Sequence, residues 1–155
     1  MSTARSEIRA LEVFDRLPPG HTMHLVRDIR HAPHLRPGEF AVIDTTDREI
    51  SLGELYLIEQ SHGPIIWQVI LPKGLWAPRT AEEEERQACR PCVMLMPLAP
   101  PRTLPSGEID WRYPVHTADG PIYRDALEPN ILGRVVGIYQ GPEVGATASR
   151  VLRHG

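Results

Sequence analysis

The residues with the most chemical potential come in three groups. Cys89-Arg90-Pro91-Cys92 sets two thiols at the spacing of a dithiol or half of a zinc site. His21-x-x-His24 and His31-x-x-His34 add four imidazoles, enough in number for a tetrahedral metal centre. Glu82 to Glu85 is a run of four carboxylates. Each group also has a plain reading. No βαβ pattern surrounds the CxxC, and no second CxxC exists to complete a zinc ribbon. On a strand, an i, i+3 pair of histidines faces opposite sides, and Pro33 interrupts the second pair. The acidic run reads as the solvated face of a helix. The expectation is therefore polar surface histidines, ordinary cysteines with Cys92 packed beside Val93-Met94, no resident metal and no cofactor. The alternative is a metal-binding or redox-responsive protein built on Cys89, Cys92, His31 and His34.

The elements that must carry these residues are short. With 155 residues the chain is of single-domain size, and 16 prolines and 12 glycines favour short strands over a helical bundle. Ser6 to Arg16 reads as a helix ended by Leu17-Pro18-Pro19-Gly20. His21 to Ile29 alternates in part, at Met23, Leu25, Arg27 and Ile29, and reads as a strand. Pro37-Gly38 marks a turn before an apolar strand, Phe40 to Asp44. Leu55 to Glu59 and Ile65 to Leu71 form the next strands, joined by a hairpin over Gln60 to Pro64. Thr80 to Ala88 is a second helix, Met94 to Gly107 a loop or edge segment, and Trp111 to His116 a strand. Ile131 to Gln140 is the last strand, and Gly141 to Gly155 a mobile tail. Trp67, Trp76 and Trp111 read as packing residues.

A formal charge of −3 supplies no basic footprint, so direct nucleic-acid binding is not expected. No apolar run reaches bilayer length and the N-terminus has no signal-peptide core, so no membrane contact is expected and the location is cytoplasmic.

Four segments taken in order carry a resemblance. Arg30-His31-Ala32-Pro33-His34-Leu35-Arg36-Pro37-Gly38-Glu39 precedes the strand Phe40 to Asp44. Gly53-Glu54-Leu55-Tyr56-Leu57-Ile58 follows, then His62-Gly63-Pro64 and Ile65-Ile66-Trp67-Gln68-Val69-Ile70, and last Ile131-Leu132-Gly133-Arg134-Val135-Val136-Gly137. This order resembles the core of the LexA-type self-cleaving peptidases, in the LexA/UmuD and signal-peptidase-like superfamily. The resemblance covers about two thirds of the chain; Trp76 to Ile109 stands outside it as an insertion. It implies a mostly β, curled antiparallel fold with a short N-terminal helix and one inserted helix. The divisions are 1–19 for the helical segment, 20–141 for the β domain and 142–155 for a flexible tail.

That family cleaves with a serine activated by a buried, neutral lysine. Here the serine position is Arg30 and the lysine position is Gln68, neither of which can serve. No serine occurs between Ser6 and Ser51, Thr22 falls eight residues too early, and Lys73 is the only lysine. The resemblance thus implies a catalytically inactive pseudo-peptidase, a regulatory or interaction module in a transcription or phage-related circuit. It keeps a cleft formed by His31, Pro33, Glu39, Asp44, Tyr56 and Trp67 for an unidentified protein or peptide partner. The family's self-association implies a homodimer through the edge of the last strand, at Ile131, Arg134, Val136 and Ile138.

Overall fold

The computed structural model describes residues 10–74, 77–99, 103–108, 110 and 118–142. They form an eight-stranded, mostly antiparallel sheet: β1 (Glu12–Phe14), β2 (His21–Leu25), β3 (Phe40–Asp44), β4 (Leu55–Gln60), β5 (Gly63–Ile70), β6 (Cys92–Met96), β7 (Asp119–Tyr123) and β8 (Ile131–Tyr139). Helix α1 (Ala81–Cys89) lies between β5 and β6. Helix α2 (Arg124–Leu127) and a 3-10 turn (Glu128–Asn130) precede β8. The strand order is β2-β3-β8-β4-β5-β6-β7, with β1 added in parallel to β8.

Strict alternation in β4 and β5 divides the core. Tyr56, Ile58, Trp67 and Val69 turn to one face, where they meet Ile50, Val93, Leu95, Leu127 and Ile131. Leu55, Leu57 and Ile66 turn to the other and meet Val26, Leu35, Ala41, Ile43 and Val135. A sheet buried on both faces needs two covers. Leu127 of α2 belongs to the first cluster, and the loop residues Val26 and Leu35 to the second. The link between β2 and β3 is closed at Gly38, whose φ of 89° favours glycine, and whose N–H donates to the Val26 carbonyl at 2.8 Å.

Two expectations are corrected. Glu12 to Phe14 is a strand rather than part of a helix: Val13 pairs with Ile138, and glycine at 137 leaves room for the β1 backbone and the Phe14 ring. Tertiary pairing here overrides a short helical pattern; Ser6 to Arg9 lie outside the described residues. Nor is β8 an edge. β3 pairs with it over Arg134–Tyr139, while β4 at Ile131–Arg134 and β1 at Gly137–Tyr139 share its other side. Ile131, Arg134, Val136 and Ile138 are therefore interior to the sheet and offer no free edge to a second copy. Arg134 serves inside the chain, with Nε 2.7 Å from Asp47 Oδ2.

The segment expected as an insertion holds both α1 and β6. Thr80 caps α1 by accepting from the Glu83 N–H at 3.1 Å, and α1 has no buried residue. β6 pairs with β5 and buries Val93, Met94 and Leu95. The expected strand Trp111 to His116 and the tail from residue 143 lie outside the described residues.

Candidate functional site

The segment Arg30–His31 is laid against β5. β5 and β6 pair at Gln68↔Met96 and Ile70↔Met94, and one antiparallel step further would set Ile66 against Leu98. β6 has ended there. The His31 ring lies between the two groups instead: Nε2 is 2.7 Å from the Ile66 carbonyl oxygen, and the Leu98 N–H donates to Nδ1 at 3.3 Å. The carbonyl can only accept and the amide can only donate, so the ring is the neutral tautomer with its proton on Nε2. His31 is 2% exposed. Burial holds its pKa below the ordinary imidazole value, against the opposing pull of the Ile66 carbonyl. Beside it, Ala99 N–H donates to the Arg30 carbonyl at 2.7 Å.

Both positions that matched the dyad are engaged. Arg30 lays its guanidinium 5.0 Å from the centroid of the Trp67 ring, and its Nε is 3.5 Å from Asp28 Oδ2. Gln68 is buried and donates from Nε2 to the Gly53 carbonyl at 2.9 Å. Ser51, Ser61, Thr22 and Lys73 are all exposed. Among the described residues, no buried hydroxyl–lysine pair takes over from the missing dyad.

Next to His31 runs a groove of about 480 Å³. One wall is the end of β2 and its continuation, with His24, Arg27 and Asp28. The other is the hairpin tip and first half of β5, with His62, Pro64 and Ile66. Both walls are strand edges. β2 is the terminal strand of the sheet, and β6 pairs only with Gln68–Ile70, leaving the start of β5 beyond its reach. Val26 directs its N–H to Glu39 and its carbonyl to Gly38, both 2.8 Å away on the β3 side. Alternation then turns the peptide group of Leu25, the last residue of β2, outward, toward the groove. The same rule applied to Val69, which bonds Gly53 and Glu54 on the β4 side, turns the Pro64 carbonyl and the Ile66 N–H away from β4, while the Ile66 carbonyl on the same side is already taken by His31. His24 is partly buried, and burial, then nearby Arg27, lowers its pKa.

Of the expected cleft residues, His31 lines this groove and Trp67 stands behind Arg30. The others are placed elsewhere. Pro33 is exposed on a turn. Glu39 closes the 36–39 turn by accepting from Arg36 N–H at 2.7 Å. Asp44 sits roughly 13 Å along β3 from Phe40 and accepts from the Thr46 hydroxyl at 2.7 Å and its N–H at 3.0 Å, with the hydroxyl bond chiefly lowering its pKa. Tyr56 is fully buried in the core. Its hydroxyl donates to the Glu49 carbonyl and accepts from Ser51 N–H, both at 2.7 Å, which pins the loop before β4. Tyr56→Phe should lower stability by about 1 kcal/mol in urea denaturation, because exposed Glu49 and Ser51 can turn to water for the lost bonds. The sequence reading missed Arg27, Asp28, His62 and Leu98, whose importance depends on which strand edges stay open.

The metal alternative is not assembled. Cys89 is exposed and Cys92 half-buried, both as free thiols. Cys92 opens β6, whereas His31 meets Leu98 beyond the far end of that strand, with both ring nitrogens occupied. His34 is exposed on a turn. Among the described residues, no three His, Cys, Asp or Glu side chains gather as a metal site. A larger recess of about 730 Å³ lies beside α1, next to both cysteines, and α1 itself buries no residue.

No family model, no curated protein and no solved structure matches this chain. No helix among the described residues is long and apolar enough to cross a membrane.

Proposed function

We propose that the protein is a non-hydrolysing, LexA-like interaction module that captures an extended peptide segment in the groove beside His31. The observation carrying this reading is the pair of open strand edges facing one volume. An extended chain laid there can exchange main-chain hydrogen bonds with the outward groups of β2 on one side and β5 on the other. The absence of hydrolysis rests on chemistry. Arg30 and Gln68 hold the positions where the resembled peptidases keep nucleophile and base, and neither can attack a carbonyl or accept a proton from a hydroxyl. The resemblance gains support from the way Arg30–His31 docks on the strand that bears Gln68, 35 residues after His31 in the case of the His31–Ile66 contact. A regulatory role through such capture is the function that follows.

The test is a titration of isotope-labelled protein with an acetylated, amidated hexapeptide, Thr-Val-Gln-Val-Thr-Val. Amide shifts should concentrate at Leu25–Arg27 and Gly63–Ile66, and mass spectrometry after prolonged incubation at alkaline pH should find peptide and protein intact. Shifts elsewhere, or none at millimolar peptide, would remove the binding reading. Specific cleavage would remove the pseudo-enzyme reading.

A further inference from the structure

The charge on the groove walls adds a preference that strand pairing alone does not supply. Asp28 is the acidic side chain lining the groove, and it is answered within its own wall. Oδ1 accepts the Arg30 N–H at 3.0 Å, and Oδ2 lies 3.5 Å from Arg30 Nε. Arg27 is different. It is exposed, lines the same groove, and its side chain makes no hydrogen bond or ion pair with any described residue. His24 and His62 flank the volume from the two walls and contribute no negative charge. A guanidinium without a partner, next to outward peptide groups on the edge of β2, suits a carboxylate carried by a paired strand.

We infer that the groove selects an extended segment of about four residues with an internal Asp or Glu, whose carboxylate is received by Arg27. This rests on the strand-capture reading above and names the chemistry of the segment that reading requires. The competitors for the same site, neutral and basic segments, would pair through their backbones equally well but leave Arg27 unanswered. The overall charge of −3 makes no general attraction for acids, so the preference must be local.

The experiment compares three acetylated, amidated hexapeptides by calorimetry in low salt: the Gln peptide above and its Glu and Lys counterparts at the same position. Blocked ends exclude a terminal carboxylate. The Glu peptide should bind about tenfold more tightly than the Gln peptide, and the Lys peptide more weakly than either. Arg27→Gln should erase the Glu–Gln difference. Arg36→Gln, which removes the same charge at an exposed site outside the groove lining, should keep the difference. Equal binding of Glu and Gln peptides, or a preference that survives Arg27→Gln, overturns the acidic selection and leaves strand capture standing. Failure of all three peptides to bind overturns both.

Discussion

His31→Phe will lower the stability of the protein by about 3 kcal/mol at pH 7.5, measured as the free energy of urea unfolding. Phenylalanine fills much the same space, so the loss comes from hydrogen bonds rather than from a cavity. The Ile66 carbonyl loses its donor and the Leu98 N–H its acceptor, at a position where the present side chain is 2% exposed. A buried main-chain group left without a partner costs about 1–3 kcal/mol, and two are left here. The difference between the proteins should depend on pH in one direction. His31 is held neutral in the fold by burial, with its pKa below the unfolded value of about 6.5. Its contribution is therefore complete above that value and falls as pH drops through the window down to the folded pKa, where the unfolded chain binds the proton more readily. A protonated ring also has no lone pair for the Leu98 N–H. Wild type should thus approach His31→Phe in stability as pH falls from 7.5 to 5. His24, whose pKa is also lowered, is common to both proteins and drops out of the comparison. A gap that stays constant across this range would show that His31 binds its proton equally well in the folded and the unfolded chain.

The same residue illustrates what sequence pattern can and cannot reveal. β3, β4, β5 and β8 were legible because each is an apolar run bounded by strong turn residues, and a strand's alternation is a local property. Helix α1 was legible from Thr80 and the acidic first turn. β1 was not, since three residues that pair only with Gly137–Tyr139 carry no pattern of their own. β7 was hidden by Gly120-Pro121, tolerable because it is the terminal strand of the sheet and needs partners on one side only. The apolar richness of β8 was visible, and it reflects enclosure by three strands; its expected role in self-association came from the resemblance alone. In the site, the approach of Arg30–His31 to the strand of Gln68 followed from the order of the resembled segments. The function of the His31 ring did not, because it depends on where β6 stops pairing and on Leu98, 67 residues away. Glu39, Asp44 and Tyr56 were placed in one cleft by proximity in that order, yet each is spent on a nearby turn or loop.

Gly133→Ala should be the most damaging single-methyl addition in the described sheet, lowering stability by about 3 kcal/mol by urea or thermal unfolding. The cause is space, since Gly133 does not have the positive φ that favours glycine. A Cβ there would overlap the Asp44 carbonyl oxygen and lie 2.7 Å from Ile43 Cγ2 and 2.9 Å from the Asp44 carbonyl carbon. Two of those atoms are backbone at the end of β3, and β3 is itself fixed between β2 and β8. Relief would require β8 to shift against both β3 and β4, so the strain spreads through the centre of the sheet. Gly137→Ala makes an instructive comparison. Its Cβ would overlap the Glu12 carbonyl oxygen and the Phe14 ring, a clash at least as severe on distance alone. Those atoms belong to β1, which among the described residues pairs with nothing but β8, over three residues. The chain can relieve the clash by releasing β1, so the cost is capped by what that short strand contributes. Gly137→Ala should therefore be the milder variant, with faster amide exchange at Glu12–Phe14 and a nearly unchanged global unfolding midpoint. If Gly133→Ala instead proved the milder of the two, the central position of β8 between β3 and β4 would be wrong.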